Sequence, residues 1–445
     1  MPLSDPLKHL RQPSLPEVHR SVAVPNKNIW RKIMAYVGPG YLISVGYMDP
    51  GNWATDLAGG AKFGYTLLSV IMAANLIAVL MQSLCVRLGV ATERDLAHLC
   101  RDSFNPRVNF CLWILCEVAI AACDLAEVLG SAIALQLLFG IPLSIGVCIT
   151  ALDVIVLLLL QHKGFRYTEA LVIVLVATVG FCFFAEILFS RPALEGVLVG
   201  YVPNIEIIQN PEMFYIAISI LGATVMPHNL YLHSSIVQTR NWQPTVEKKR
   251  EAINLSSLDS TVALFFALFI NSAILIVAAA SFHFSGHQDV AEIQDAYKLL
   301  SPLLGVHAAS AVFGLALLAS GQSSTLTATL AGQIVMEGFL HLRLKPWIRR
   351  LITRMLAIIP ALICIIFFGE RSTGNLLIFS QVVLSLQLSF AVIPLVMFTS
   401  DRRLMGDFVN PWWLKILSWS AAILIAILNI WLLGQTALTQ LGVRI

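Results

Sequence analysis

The sequence predicts an all-α polytopic membrane protein built as two five-helix repeats of opposite orientation plus an eleventh helix. Composition is the first reason: of 445 residues, 57% are hydrophobic and 12% charged, with a mean hydropathy of +0.78, a balance foreign to ordinary soluble domains. The second is a recurrence of apolar runs of roughly 18–25 residues from the thirties onward. Each can cross a hydrocarbon core of about 30 Å, and the short alternating segments of a β-barrel are missing. The third is that the first and sixth runs are both interrupted near their middles by proline and polar residues. Corresponding interruptions in spans one and six imply a repeat of five helices, and because five is odd the second repeat is inserted upside down. Paired broken helices in inverted repeats point to a secondary transporter with its binding site at the membrane midplane.

Residues 1 to about 32 hold five prolines among scattered Lys, Arg and Ser. They lack the apolar core of a secretory signal and read as a disordered cytoplasmic tail. Residues 33–190 form the first repeat, with spans at about 36–61 (broken), 65–86, 108–139, 142–161 and 168–189. Residues 191–400 form the second, with spans at about 213–237 (broken), 259–282, 304–333, 347–368 and 375–398. A peripheral eleventh span, about 413–434, falls within residues 401–445.

Basic residues set the orientation, because Lys and Arg stay on the cytoplasmic side during insertion. With the amino terminus inside, the inner loops hold clusters such as Arg87, Arg94, Arg101 and Arg107, or Arg240, Lys248, Lys249 and Arg250. The outer loops hold only Lys62, Arg191, Lys298 and Arg371. The carboxyl terminus then lies outside, and short tails without a targeting segment suit a bacterial-type inner (plasma) membrane. The net charge of +3 gives no case for a nucleic-acid partner; membrane lipid surrounds the chain, and a monomer is the expected functional unit. Eight cysteines (85, 100, 111, 116, 123, 148, 182 and 364) show neither Cys-x-x-Cys nor Cys/His ligand spacing, and read as small buried hydrophobes.

The first interruption is Asp49-Pro50-Gly51-Asn52. Pro50 cannot donate to a helical ladder and Gly51 weakens it further, so the span unwinds and leaves backbone carbonyls without helical partners. Bare backbone at membrane depth is tolerated where it lines a cavity or meets an ion. A carboxylate there costs about 2.5–3.5 kcal/mol on insertion scales, so Asp49 reads as functional. The second interruption is Gly222-Ala223-Thr224-Val225-Met226-Pro227-His228-Asn229. Together the two offer a carboxylate (Asp49), an amide oxygen (Asn52), a thioether (Met226) and carbonyls near Ala223 and Gly46. Hard oxygen ligands suit Na⁺, Mg²⁺ or Ca²⁺, whereas a thioether favours transition metals such as Mn²⁺ and Fe²⁺. A packing role is the structural alternative for Met226. His228, beside the break, reads as a ligand neighbour, a proton acceptor, a gate residue or a helix-packing histidine. His233 is five positions on, about 140° away around the helix, and reads as structural.

The third span carries Glu117, Asp124 and Glu127, spaced seven and three apart and so on one helical face. Three acids on one membrane face need water, protons or partners, which makes a polar path the natural interpretation and structural ion pairing the alternative. Arg349, Arg350 and Arg354 open the ninth span and can reach inward to neutralise them.

The segments Met48-Asp49-Pro50-Gly51-Asn52-Trp53-Ala54-Thr55 and Met226-Pro227-His228-Asn229-Leu230-Tyr231-Leu232-His233-Ser234 resemble the signatures of the Nramp family of divalent-metal transporters. The likeness extends over essentially the whole chain, including Gln387-Leu388-Ser389-Phe390-Ala391 in the tenth span, where the family often has Pro in place of Ser389. The resemblance implies a LeuT-like fold and proton-coupled uptake of Mn²⁺ and Fe²⁺, often with Cd²⁺, Co²⁺ or Zn²⁺ accepted. It also implies Asp49, Asn52 and Met226 as metal ligands, joined in some states by the Ala223 carbonyl. Acidic third-helix and basic ninth-helix residues form the proton pathway in such proteins. Because Met226 is kept, magnesium-type and aluminium-type variants of the family are disfavoured. The metal ion and the proton are cargo, no resident cofactor is expected, and the chain is not expected to be an enzyme.

A divalent ion beside Asp49 stabilises its ionised form and expels a proton toward Glu127, Asp124 and the arginines, making Asp49 both ligand and proton-linked group. Gln82, Asn271, Gln322 and Gln381 either line the vestibule or bond neighbouring helices. Gln381 leads among them as an added metal-site residue, since the tenth span packs near the breaks in a LeuT-like arrangement. Asp56, Asp153 and Glu186 read as interfacial. The main rival is a LeuT-like cation-coupled symporter of a small organic substrate, for which an extra buried carboxylate and a thioether have no evident use. A membrane enzyme would need a nucleophile with a base or a closed metal constellation, and a sensor would usually add a folded cytoplasmic domain.

Overall fold

The computed structural model describes residues 13–25, 28–152, 164–290, 292–306, 308–340, 345–369 and 373–440. Span one is two half-helices, α2 (Pro39–Gly46) and α3 (Pro50–Phe63), preceded by the short α1 (Ile29–Tyr36). There follow α4 (Leu68–Thr92), α5 (Leu96–Ser103), α6 (Pro106–Phe139), α7 (Leu143–Ile149) and α8 (Phe165–Ser190). Span six is again split, into α9 (Pro211–Thr224) and α10 (Pro227–Ile236). The chain continues through α11 (Val246–Ala278), α12 (Ile293–Leu304), α13 (Ala309–Leu340), α14 (Pro346–Phe368), α15 (Thr373–Ser400) and α16 (Trp412–Gln440).

Both breaks end and restart by the same local chemistry. Asp49 caps α3, accepting the Asn52 N–H at 2.8 Å on its Oδ1, and Pro50 takes the first helical position, where its missing N–H costs nothing. Met226 stands in extended backbone (φ −69°, ψ 123°) before α10, with Pro227 in the first position.

Among the described residues, seven helices are long and apolar enough to cross a membrane. Four of the eleven expected spans fall outside that number: span one is divided into halves, span four is described only through Leu152, and in span nine the apolar stretch Arg354–Phe367 is short. Span eight, α13, is rich in hydroxyls, which return to their own helix: Ser323 Oγ donates to Ser320 O at 2.9 Å and Thr327 Oγ1 to Ser324 O at 2.8 Å.

Helix α6 packs along α13, α11 lies against α3 and α4, and α15 covers α6 and α9. The half-helices are thereby enclosed, and α3, α9 and α10 are buried almost throughout.

Part of the stretch expected as a tail is ordered. Residues 13–25 lie along one end of the bundle, where the Leu15 N–H donates to Glu337 Oε2 at 3.2 Å. Strand β1 (Val22–Ala23) pairs in parallel with β2 (Arg240–Asn241) just after α10. Leu15 and Val22 supply apolar burial that the proline content obscured.

Candidate metal and proton site

The two interruptions meet. A Cβ on Gly46 would overlap Asn229 Nδ2 and come within 3.3 Å of Met226 Sδ, so glycine is what lets α2 touch the second break. The residue four positions beyond Gly46 is Pro50, and four beyond Ala223 is Pro227. Each carbonyl is thus denied its helical donor by the same chemistry, once in each half. The neighbouring carbonyls of span one are satisfied from other helices. Asn271 Nδ2 donates to Tyr47 O at 2.8 Å, while Met48 O accepts Ser320 Oγ at 2.5 Å and Trp53 Nε1 at 3.3 Å. These bonds hold the unwound segment open.

Around the junction, Asp49, Asn52, Met226, His228, Asn229 and Gln381 are all buried. Asn52 Oδ1, His228 Nδ1, Gln381 Oε1 and both amide atoms of Asn229 have no hydrogen-bond partner among the described residues. Buried amides without partners are costly, and their concentration at one place suits an ion or water held there. Gln381 packs directly on Gly51, where a Cβ would overlap its amide. Gln82 bonds helices together, donating to Tyr47 Oη at 2.7 Å and holding His233 Nδ1 at 2.8 Å. Gln322 is half-buried on α13.

From Asp49 a line of polar groups leads away through α6. Cys123 Sγ lies 3.9 Å from Asp49 Oδ2 and 3.7 Å from Glu127 Oε1. Glu127 Oε2 accepts from Thr325 Oγ1 at 3.1 Å and lies 3.8 Å from Arg354 Nη1, while Arg354 Nη2 donates to Thr325 Oγ1 at 2.6 Å. Both Glu127 and Arg354 are fully buried. Asp124 is buried on the same helix, with Oδ1 unpartnered among the described residues. Glu117 is half-buried and accepts from Trp113 Nε1 on its own helix at 3.1 Å. The side chains of Arg349 and Arg350 lie outside those described, as does Asp153.

Two acids expected at the interface are buried instead. Asp56 is 1% exposed and Glu186 is 0% exposed. Neighbouring helices cover the faces that carry them, which position along a span does not reveal. Sequence reasoning also passed over Cys123 and Thr325. Cys123 resembles its apolar neighbours, and Thr325 is one hydroxyl among many on α13; only their placement beside Asp49 and Glu127 distinguishes them.

A family model described as natural resistance-associated macrophage protein-like, Nramp, matches residues 40–435. The chain is 77% identical over 426 residues to a protein of Nostoc sp. named divalent metal cation transporter MntH, with 96% of each covered. It is 62% identical over 425 residues to the protein of the same name from Listeria monocytogenes, with 95% of each covered. A solved variant of the manganese transporter of Eremococcus coleocola matches with a TM-score of 0.89 and 40% identity, over 97% of this chain and 92% of that one. Mhp1, a nucleobase-cation-symport-1 family transporter, matches at 0.59 and 16% identity, over 91% and 93%, a likeness of fold alone. The architecture is the LeuT-like one, two inverted five-helix repeats with broken helices one and six and an added eleventh. By family model, sequence identity and fold together, this chain belongs to the Nramp family.

Proposed function

We propose that this protein imports divalent transition metal ions, Mn²⁺ and Fe²⁺ foremost, across the plasma membrane by alternating access coupled to protons. Cd²⁺, Co²⁺ and Zn²⁺ are further candidate cargo. The observation that carries this is the meeting of two proline-broken helices at Gly46, Met226 and Asn229, beside the Asp49 carboxylate and the unpartnered oxygen of Asn52. The names of the Nostoc and Listeria relatives as divalent metal cation transporters, and of the Eremococcus protein as a manganese transporter, support the same conclusion.

In this mechanism Asp49, Asn52 and Met226 hold the ion, with the carbonyls of Ala223 and Gly46 and the amide of Gln381 completing its shell. Met226 supplies the soft donor that disfavours Mg²⁺ and Ca²⁺. Arrival of the ion ionises Asp49, and the proton moves toward Glu127, Asp124 and the buried Arg354. The amino terminus is cytoplasmic and the carboxyl terminus outside, and a single chain is the working unit.

The test is uptake into proteoliposomes. Mn²⁺ entry accompanied by internal acidification, both lost in Asp49→Asn, is the expected result. Undiminished proton-coupled uptake in Asp49→Asn would end the assignment. Accumulation of an organic substrate without metal dependence would favour the symporter alternative.

A further inference from the structure

We propose that Cys123 sets the breadth of metal selection, by giving an ion seated at Asp49 and Met226 a second sulfur donor. The proposal rests on the metal-transport function above and deepens it. Two independent features carry it, the placement of the thiol and the unsatisfied oxygen at the same break.

Cys123 belongs to α6, 74 residues from Asp49 in sequence, yet its Sγ stands 3.9 Å from Asp49 Oδ2. The same side chain shares a buried cluster with Met226, Ala119 and Leu384. The thiol therefore stands beside the carboxylate, in the same buried cluster as the residue that carries the thioether. An ion holding a carboxylate oxygen at about 2.1 Å and a sulfur at about 2.3 Å with tetrahedral geometry sets those two atoms about 3.6 Å apart. A larger soft cation opens that separation further, toward the one observed. Asn52 Oδ1, in the first turn of α3, is 1% exposed and has no partner among the described residues, so the break that carries Asp49 also carries an unsatisfied oxygen.

The chemistry of the pair makes the effect selective. Mn²⁺ draws most of its binding from oxygen, whereas Cd²⁺ gains disproportionately from each added sulfur. When Cd²⁺ binds, the S–Cd bond forms as the S–H bond breaks, and the proton passes to Glu127 Oε1, 3.7 Å from Sγ. Packing alone would make Cys123 indifferent to which ion is bound.

The experiment compares purified wild-type protein with Cys123→Ser, using Cd²⁺ and Mn²⁺ as the probes. In the wild type, Cd²⁺ is expected to produce an ultraviolet sulfur-to-metal charge-transfer band that excess Mn²⁺ displaces. In Cys123→Ser the band should be lost and the Cd²⁺ to Mn²⁺ affinity ratio should fall about tenfold, with Mn²⁺ binding weakened less. An undiminished band or an unchanged ratio in the variant overturns the role of Cys123 and leaves the transport function standing. Wild-type protein that binds neither ion defeats the transport function itself. Should Cys123→Ser fail to fold, the wild type still decides: Cd²⁺ bound with no Mn²⁺-displaceable band overturns the proposal.

Discussion

Gly46, the last residue of α2, and Asn229, in the first turn of α10, pack so closely that a Cβ on the glycine would overlap the asparagine amide. Gly46→Ala therefore forces the two breaks apart. Overpacking of this kind costs about 1–3 kcal/mol, and the partnerless amides at the junction are the groups with room to give. Mn²⁺ affinity by isothermal titration is expected to fall about tenfold or more, with helical content preserved. Wild-type affinity in this variant would show that the junction tolerates separation.

Met226→Ala removes a thioether while leaving Asp49 and Asn52 in place. Discrimination against Ca²⁺ and Mg²⁺ is expected to suffer more than Mn²⁺ binding itself. Competition among the three ions in one proteoliposome assay reads this directly. Unchanged relative affinities would remove the thioether from the selectivity filter.

Thr325 joins Glu127 to Arg354 through one hydroxyl, donating at 3.1 Å and accepting at 2.6 Å. Thr325→Val deletes both bonds, and hydrogen bonds to charged groups contribute about 1.5–3 kcal/mol. The expected outcome is a lower thermal midpoint and less acidification per Mn²⁺ carried, with metal affinity changed little. If acidification and affinity instead decline in step, the hydroxyl serves packing rather than proton movement.

Glu93 ties residues 13–25 to the bundle, meeting Arg20 Nη2 and Lys249 Nζ at 2.9 Å each. Partial burial pushes its carboxyl up, but the Lys249 hydrogen bond and the charges of Lys249, Arg20 and His19 outweigh that and hold it below the ordinary range. A depressed carboxyl contributes stability above its unfolded value, near 4.3, and loses it as pH falls through the folded one. Amide protection of residues 13–25 is therefore expected to drop below about pH 4.3, and Glu93→Gln to show reduced protection already at neutral pH. Equal protection in the two proteins at neutral pH would exclude Glu93 as the tether.

Much of this arrangement is legible in one dimension because proline and buried charge are local signals. Asp49-Pro50 and Met226-Pro227 mark their own breaks, and the α6 acids mark a polar face. Gln381 falls against Gly51, near where the tenth span was expected. What stayed hidden depends on partners distant in sequence. Cys123 is unremarkable until Asp49 stands beside it, and Arg354 is one arginine of three until Glu127 and Thr325 receive it. Asp56 and Glu186 looked peripheral because depth along a span says nothing about which face a neighbouring helix covers. The docking of residues 13–25 uses backbone pairing with β2 and two buried apolar side chains, Leu15 and Val22, too little apolar pattern to register.

Pro50 and Pro227 each strike a donor from the main chain four residues after a small residue, Gly46 or Ala223. The oxygens released this way belong to no side chain, and exchanging the residue that owns one does not delete it. A side-chain substitution at Gly46 or Ala223 leaves its oxygen in place, whereas replacing Pro50 or Pro227 returns a main-chain donor to the position that would close the helical bond.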